Sequence, residues 1–360
     1  MVPEAPAGSR PRTLPERGGY APPAVRALIV RTHPERGGYA RPAVRALIVT
    51  NMYPSAKRPA LGTFVRDQVQ ALRRVPDLDV EVFSFDPGAP RAYGRAASEL
   101  RRRYRGERLD VVHAHFGLTA WPALAAPGSV RAVTLHGTDL ANPRSRPITL
   151  AALRFLDLVA AVSDPLAREV PRWAARGEVA VLPCGVDVSR FGPISRTQAR
   201  AALGLCARGR YLLFPADPGR PEKRHDLASA VAGDTQLLTL GNVDPSEVPL
   251  WVNAANAVLV PSDREGFGLA VLEALACDVP VLATPVGIAP EALAGLAGAY
   301  CGPFDLGTWR TAVAPHLVAA DPRVQGRARA ARFSTDRMAL AVVNAWRQIT
   351  PGGATTRAAG

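Results

Sequence analysis

Pro261-Ser-Asp-Arg-Glu265-Gly-Phe-Gly-Leu-Ala-Val-Leu-Glu273-Ala-Leu-Ala-Cys-Asp-Val-Pro280 sets two glutamates eight residues apart around a glycine-broken turn. Just before it, Ala257–Val260 reads as a short buried strand. Leu269–Ala276 reads as a helix, stopped by Asp278 and Pro280. Gly266, Phe267, Gly268 and Leu269 therefore fall where a strand passes through a loop into a helix N-terminus. Unsatisfied N–H groups at such a terminus and the helix dipole favour an anion. The glycines let the backbone approach a ligand closely. Glu265 on the loop and Glu273 in the helix add two carboxylates that accept hydrogen bonds from hydroxyls. A diphosphate, a ribose diol and a sugar polyol suit that set of groups.

Outward from this stretch, strand-like and helix-like runs alternate. Strands are expected at Val44–Val49, Val80–Phe85, Val111–Ala114, Ala132–Leu135, Leu158–Val162 and Val179–Leu182, with helices such as Thr63–Arg74 and Tyr93–Tyr104 between them. A second series runs through Tyr211–Phe214, Gln236–Leu240, Ala257–Val260 and Val279–Ala283. The pattern predicts an α/β protein with two doubly wound parallel sheets, one per domain. Neither half carries a G-x-G-x-x-G turn after its first strand, which argues against a dinucleotide oxidoreductase.

Ligands of open α/β sheets sit beyond the carboxyl ends of strands. In the first half those ends carry His113 and His115, then His136. His113 and His115 are two apart and share a face of a strand. In the second half, Arg220 and Lys223 follow the first strand and precede a helix. Lys223 is one of two lysines in a chain with 42 arginines, so a compact point charge is wanted there. The Glu265–Glu273 spacing spans up to about 12 Å along a helix axis. A glycosidase needs its two carboxyl groups about 5–9.5 Å apart across one bond.

Glu265 and Glu273, with seven residues between, followed by Val279-Pro-Val-Leu-Ala-Thr-Pro-Val-Gly287, resemble the hallmark of the retaining glycosyltransferases of family four, which have the GT-B fold. The resemblance runs from about residue 44 to 350. It implies two Rossmann-like domains with a cleft between them: residues 41–190 on the acceptor side, 191–334 binding a nucleotide sugar, and a helix at 335–350 crossing back to the first domain. By the same resemblance Lys223 contacts the donor diphosphate and Glu265 and His136 face the transferring sugar. Glu273 takes the ribose diol, and the loop bearing Gly62 nears the diphosphate and the acceptor. Where the family has Gly-Arg before this lysine the chain has Asp217-Pro218, and Arg220 is the candidate second charge. Leu182-Pro-Cys184-Gly185-Val-Asp187 resembles the family's interdomain Pro-Asn-Gly-Val-Asp, and Cys184 is read as structural. The resemblance implies no metal and no cofactor, only a nucleoside-diphosphate sugar as co-substrate. The subgroup most resembled makes cell-surface polysaccharides such as teichuronic acid, with a saccharide or lipid-linked acceptor. Two other readings stay open: a nucleotide-sugar epimerase of the same fold, and a catalytically silent nucleotide-sugar-binding homologue.

The bulk properties fit. A chain of 360 residues predicts two domains. The net charge of +13 comes from arginine, while aromatics are only 6%, too few to interleave a nucleic-acid surface. Four cysteines form no Cys-x-x-Cys pair, which suits a reduced cytoplasm. No apolar run approaches about 18 residues, so no membrane span is expected. The run Arg101-Arg-Arg-Tyr-Arg-Gly-Glu-Arg108 reads equally as a peripheral contact for anionic lipid and as a solvated helix face. At the start, Arg12–Val30 is repeated as Arg31–Val49 with seventeen of nineteen positions identical. Only the second copy leads into the loop after the first strand. Residues 1–40 are therefore expected to be a disordered extension, with Met1–Val30 dispensable for fold and activity.

Overall fold

The computed structural model describes residues 44–241 and 243–349. The expectations for residues 1–40 and for residue 350 lie outside them. Among the described residues, eleven strands form two all-parallel sheets. The first contains β1 (Val44–Thr50), β2 (Leu78–Ser84), β3 (Leu109–His115), β4 (Gly128–Leu135), β5 (Leu158–Ala161) and β6 (Ala180–Val181), in the order β2-β1-β3-β4-β5-β6. The second contains β7 (Tyr211–Phe214), β8 (Gln236–Thr239), β9 (Ala257–Val260), β10 (Val281–Ala283) and β11 (Tyr300–Cys301), in the order β11-β10-β9-β7-β8.

The doubly wound build follows from the strand sequences. Successive side chains point to opposite faces, so a strand apolar at every position needs cover on both. In β1, Ala46 and Ile48 pack with Val65, Val69 and Leu72 of the helix Thr63–Arg73 and with Met338, Val342 and Trp346 of the helix Thr335–Ile349. Leu47 and Val49 face the other layer with Ala96 and Leu100. In β7, Leu212 and Phe214 meet Ala228, Val231 and Trp309, while Leu213 belongs to the opposite layer.

The sheet orders fix where a ligand can sit. The chain leaves β1 for β2 on one side and returns to β3 on the other, so a crevice opens between the ends of β1 and β3. The second sheet has its switch between β7 and β9. Between the two sheets the chain crosses twice, and the crossings are tied together. Val186 N–H donates to Phe333 O (2.8 Å) and Thr335 N–H to Val186 O (3.1 Å). Arg327 donates to the carbonyls of Phe191, Val188 and Ala276. Cys184 is buried beside this crossing, and burial pushes its thiol up to about 12, as suits a structural residue. The helix Thr335–Ile349 starts at the crossing and lies on the first sheet.

Candidate active site

Lys223 ends a short 3-10 turn (Pro221–Lys223) after β7, and Glu265 lies on the loop after β9. The two flanks of the second switch point thus carry one cation and one anion. They meet: Lys223 Nζ donates to both oxygens of Glu265 at 2.6 Å, and Ser262 Oγ adds a bond to Oε1 at 2.8 Å. Both side chains are largely sheltered, 15% and 9% exposed. Arg220 does not join them. It is half exposed and bonds Glu222 at 2.7 Å, because a two-residue spacing lets that carboxylate reach its guanidinium first. The candidate second charge thus stands in a surface pair beside the Lys223 group. Asp217 accepts from Gly219 N–H at 2.8 Å and shapes the same loop.

Beyond Glu265, the helix Leu269–Ala276 begins with Gly268 as its N-cap. Among the described residues, no acceptor takes the N–H of Gly266, Phe267, Gly268 or Leu269. Phe267 itself is buried against Phe333, at 6.3 Å between ring centroids. Gly266 has a different reason to be glycine from the one the sequence suggests. A Cβ there would stand 2.0 Å from the carbonyl oxygen of His136. The first lobe's backbone, rather than a ligand, occupies that space, and Ser163 Oγ donates to Gly266 O at 3.0 Å from the same side. His136 of the first lobe is thereby held next to Glu265 of the second.

His136 belongs to a buried aromatic column. The rings of His113 and His115 stack 5.1 Å apart, and those of His115 and His136 5.2 Å apart. Trp346 Nε1–H donates to His113 Nδ1 at 3.0 Å, so His113 carries its proton on Nε2 and gives it to Thr134 Oγ1 at 2.8 Å. His115 Nδ1 and His136 Nε2 share a bond of 3.0 Å. Phe64 and Phe116 close on the His136 ring at 5.0 and 4.6 Å. Burial holds all three imidazoles below the usual histidine range, His115 down to about 4, so the column is neutral. Asp139 completes this wall. Its carboxylate accepts from the N–H groups of Gly117, His136 and Gly137, which oppose the burial that raises its pKa. Phe116, at φ +72°, makes the turn that aims Gly117 at Asp139, a conformation that costs a bulky residue about 1–3 kcal/mol. No cluster of three metal-ligating groups occurs among the described residues.

Gly62 caps the helix Thr63–Arg73 at φ +66°, and a Cβ there would stand 2.1 Å from Met52 O. Its loop therefore folds back on itself and sets Phe64 against His136. Glu273 is not in the Lys223 group. It lies half-buried in its helix, where burial pushes its carboxyl up to about 7; the Asp67 carboxylate adds to that shift and the Arg190 guanidinium opposes it. Asp67 and Arg190 are site neighbours that sequence reading missed. Buried Asp67 accepts from Arg190 at 2.6 and 3.3 Å and from Arg66 at 2.9 and 3.1 Å. Arg66 and Arg190 line a cavity of 530 Å³ that also takes in Asp187, Asp244 and Ser246. No signal in the sequence pairs residues 123 apart in the chain.

Two family models match the chain: Glycosyltransferase Family 4 over residues 17–190 and Glycosyl transferases group 1 over residues 203–304. Together they span more than three quarters of its length. The chain is a glycosyltransferase of the GT-B type. Its D-inositol 3-phosphate glycosyltransferase relatives include one from Pseudarthrobacter chlorophenolicus, 26% identical over 65% of this chain and 67% of the relative. Another, from Actinosynnema mirum, is 28% identical over 73% and 78%. Among solved structures, the sucrose-phosphate synthase of Thermosynechococcus elongatus has a TM-score of 0.65 at 19% identity, covering 85% of this chain and 99% of that one. Anabaena HepE in complex with UDP and glucose has a TM-score of 0.61 at 15% identity, covering 83% and 98%. At such identities these structures speak for the fold of this glycosyltransferase alone. The relatives carry names from inositol phosphate glycosylation, so the teichuronic subgroup rests on the sequence resemblance only. No described helix of this glycosyltransferase is long and apolar enough to cross a membrane.

Proposed function

We propose that this glycosyltransferase moves a sugar from a nucleoside-diphosphate sugar to a hydroxyl acceptor, with retention at the anomeric carbon, in the synthesis of a cell-surface polysaccharide or glycolipid. The observation that carries the reading is the Lys223–Glu265 pair beside the unspent amides of Gly266–Leu269. An incoming diphosphate offers Lys223 a stronger partner than one carboxylate and offers the amides an acceptor. Glu265 is then free to accept from the hydroxyls of the transferring sugar. As the glycosidic bond to the diphosphate breaks, negative charge grows on the leaving oxygen, and Lys223, released from Glu265, would stabilise it together with the amides. One preorganised donor of this kind is typically worth about 2.7–4 kcal/mol.

Retention is favoured by what faces the acceptor side. An inverting transfer needs a base there to take the acceptor's proton. His136 is neutral, but burial makes it a weak base, and the Asp139 carboxylate is occupied by three amides. His136 instead orients the sugar. Glu273 would accept from the ribose diol, as the resemblance implies. No residue of the described chain is assigned to a metal or organic cofactor in this scheme.

The test is a thermal-shift screen of nucleotide sugars on the full chain, followed by product analysis. A ligand at about 100 times its dissociation constant adds about 2.7 kcal/mol of stability. A shift with a nucleoside-diphosphate sugar, then a product whose anomeric configuration matches the donor, is the expected result. An inverted product would refute retention, and the absence of any shift across the screen would refute the donor class. D-Inositol 3-phosphate belongs among the acceptors tried, because relatives carry its name.

A further inference from the structure

We infer that the first lobe docks on an anionic lipid bilayer through an aromatic and arginine-rimmed face built from Trp121, Ile148, Phe155 and Trp173. Large apolar side chains are rarely left in water as a group. These four are 38%, 50%, 50% and 66% exposed, and Trp121, Ile148 and Phe155 adjoin one another. The Trp121 and Phe155 rings lie 5.9 Å apart, and Trp121 Nε1–H donates to Ile148 O at 3.1 Å. Trp173 stands on a turn tied to both ends of the helix Arg146–Leu153: Arg146 donates to Glu169 O at 3.3 Å, and Arg176 donates to Arg154 O at 2.8 Å. Ala174 and Leu153, next in sequence to Trp173 and Arg154, are buried in the core.

Its chemistry selects the occupant. Two tryptophans with apolar bodies and polar tips suit the head-group level of a bilayer. Around them Arg144, Arg146, Arg154, Arg172 and Arg176 are all exposed. Arg144, Arg154 and Arg172 form no ion pair among the described residues, and Arg176 has only a 4.0 Å contact with Asp157. Cations in that state draw a surface to anionic lipid. The helix Pro90–Arg103 has the arginines that suggested lipid contact from sequence, but it exposes no large apolar side chain to anchor them. The face is also well placed. Trp121 follows the end of β3, which carries His115, and Ile148 follows the end of β4, which carries His136. Docking would set the acceptor side of the cleft against the membrane. That last step rests on the proposed transferase reading, whereas the docking itself does not.

The test is co-sedimentation of the full chain with vesicles of phosphatidylglycerol and phosphatidylcholine, against phosphatidylcholine alone. Binding to the anionic vesicles only is expected. The double variant Phe155→Ser/Trp173→Ser should lower partitioning about tenfold with an unchanged melting curve, since both residues are exposed. Arg154→Ser/Arg172→Ser should weaken binding and flatten its salt dependence. Vesicles with brominated acyl chains should quench the wild-type tryptophan emission, and Trp121→Phe/Trp173→Phe should remove the quenching. Absence of binding, or binding that neither double variant changes, would overturn the inference. So would binding without quenching, or a dimer of the wild type that Phe155→Ser/Trp173→Ser abolishes, which would assign the face to a second copy of the chain.

Discussion

At the strand ends of the first lobe stand three stacked histidines, kept neutral by burial and bonded to one another, to Thr134 and to Trp346. At the corresponding ends of the second lobe stand Lys223 and Glu265, charged, paired and beside amides with no acceptor. The same topology thus delivers a neutral, buried wall on one side and an exchangeable ion pair on the other. A diphosphate can compete for Lys223, but nothing ionic is available to compete for in the histidine column. The contrast predicts that charge-removing changes in the second lobe destroy chemistry and spare the fold, while changes at the far end of the first-lobe column, His113 and Trp346, cost stability and spare nucleotide binding.

The strongest break of that contrast is Glu265→Gln. Gln keeps the size and loses the charge-assisted acceptor, so transfer should fall by roughly 10²-fold or more with the melting temperature nearly unchanged. Turnover within a few-fold of wild type by the folded variant would remove Glu265 from the site. Next is Lys223→Ala. Calorimetry with the nucleoside diphosphate should show affinity reduced by one to two orders of magnitude, about 1.4 kcal/mol for each. Arg220→Ala and Lys57→Ala serve as contrasts, because Arg220 is bound to Glu222 and Lys57 is exposed on the loop after β1. If Arg220→Ala costs as much as Lys223→Ala, the surface pair opens on binding and the original expectation for Arg220 is restored.

On the first-lobe side, Trp346→Phe removes the indole N–H and leaves His113 Nδ1 buried without its donor. An orphaned buried acceptor costs about 1–3 kcal/mol, so the variant should melt several degrees lower while binding nucleoside diphosphate normally. A variant that melts like the wild type but loses nucleotide affinity would show that the column tunes the site rather than the fold. The acid limb reports the same column. Each histidine is held below its unfolded value, so the unfolded chain takes up protons first as pH falls. Stability should therefore drop from about 6.5 towards 4, the value for His115.

The parallel sheets were legible because each strand is a local event: apolar at successive positions, bounded by turns, alternating with helices. Tyr211–Phe214 and Ala257–Val260 have the expected bounds. β11 was missed because two residues, Tyr300–Cys301, carry no period to detect. Within the candidate site, Lys223 and Glu265 could be named from motifs, yet their direct bond spans 42 residues and had no local trace. The same holds for Trp346, which reaches His113 across 233 residues, and for Asp67, which grips an arginine from the crossing between lobes. Gly266 was recognised as a close-approach glycine, but which backbone approaches depends on how the two lobes meet. The pairing of Arg220 with Glu222, two residues away, is a local effect that the motif does not carry.

The smallest expected effect concerns Glu273, the one carboxylate of the cleft that sits between the two regimes. Its carboxyl is raised from an ordinary 4.5 to about 7, first by burial and then by Asp67, against the pull of Arg190. Below about pH 4.5 it is protonated in both the folded and the unfolded chain and contributes no pH dependence. Between 4.5 and 7 the unfolded chain gives up the proton while the folded chain keeps it, so stability falls as pH rises. Above 7 that loss is complete. Glu273→Gln removes it, so the variant should match the wild type near pH 4.5 and melt a few degrees higher at pH 8. Binding should run the other way. If the ribose diol donates to this carboxylate, the wild type's affinity for a nucleoside diphosphate gains on the variant's as pH passes through 7, and the ligand's own titration cancels in the difference. A melting difference that is flat with pH would show that Arg190 keeps Glu273 ionised throughout. An affinity difference that is flat while the melting difference is not would leave Glu273 a buried acid of the fold with no part in holding the donor.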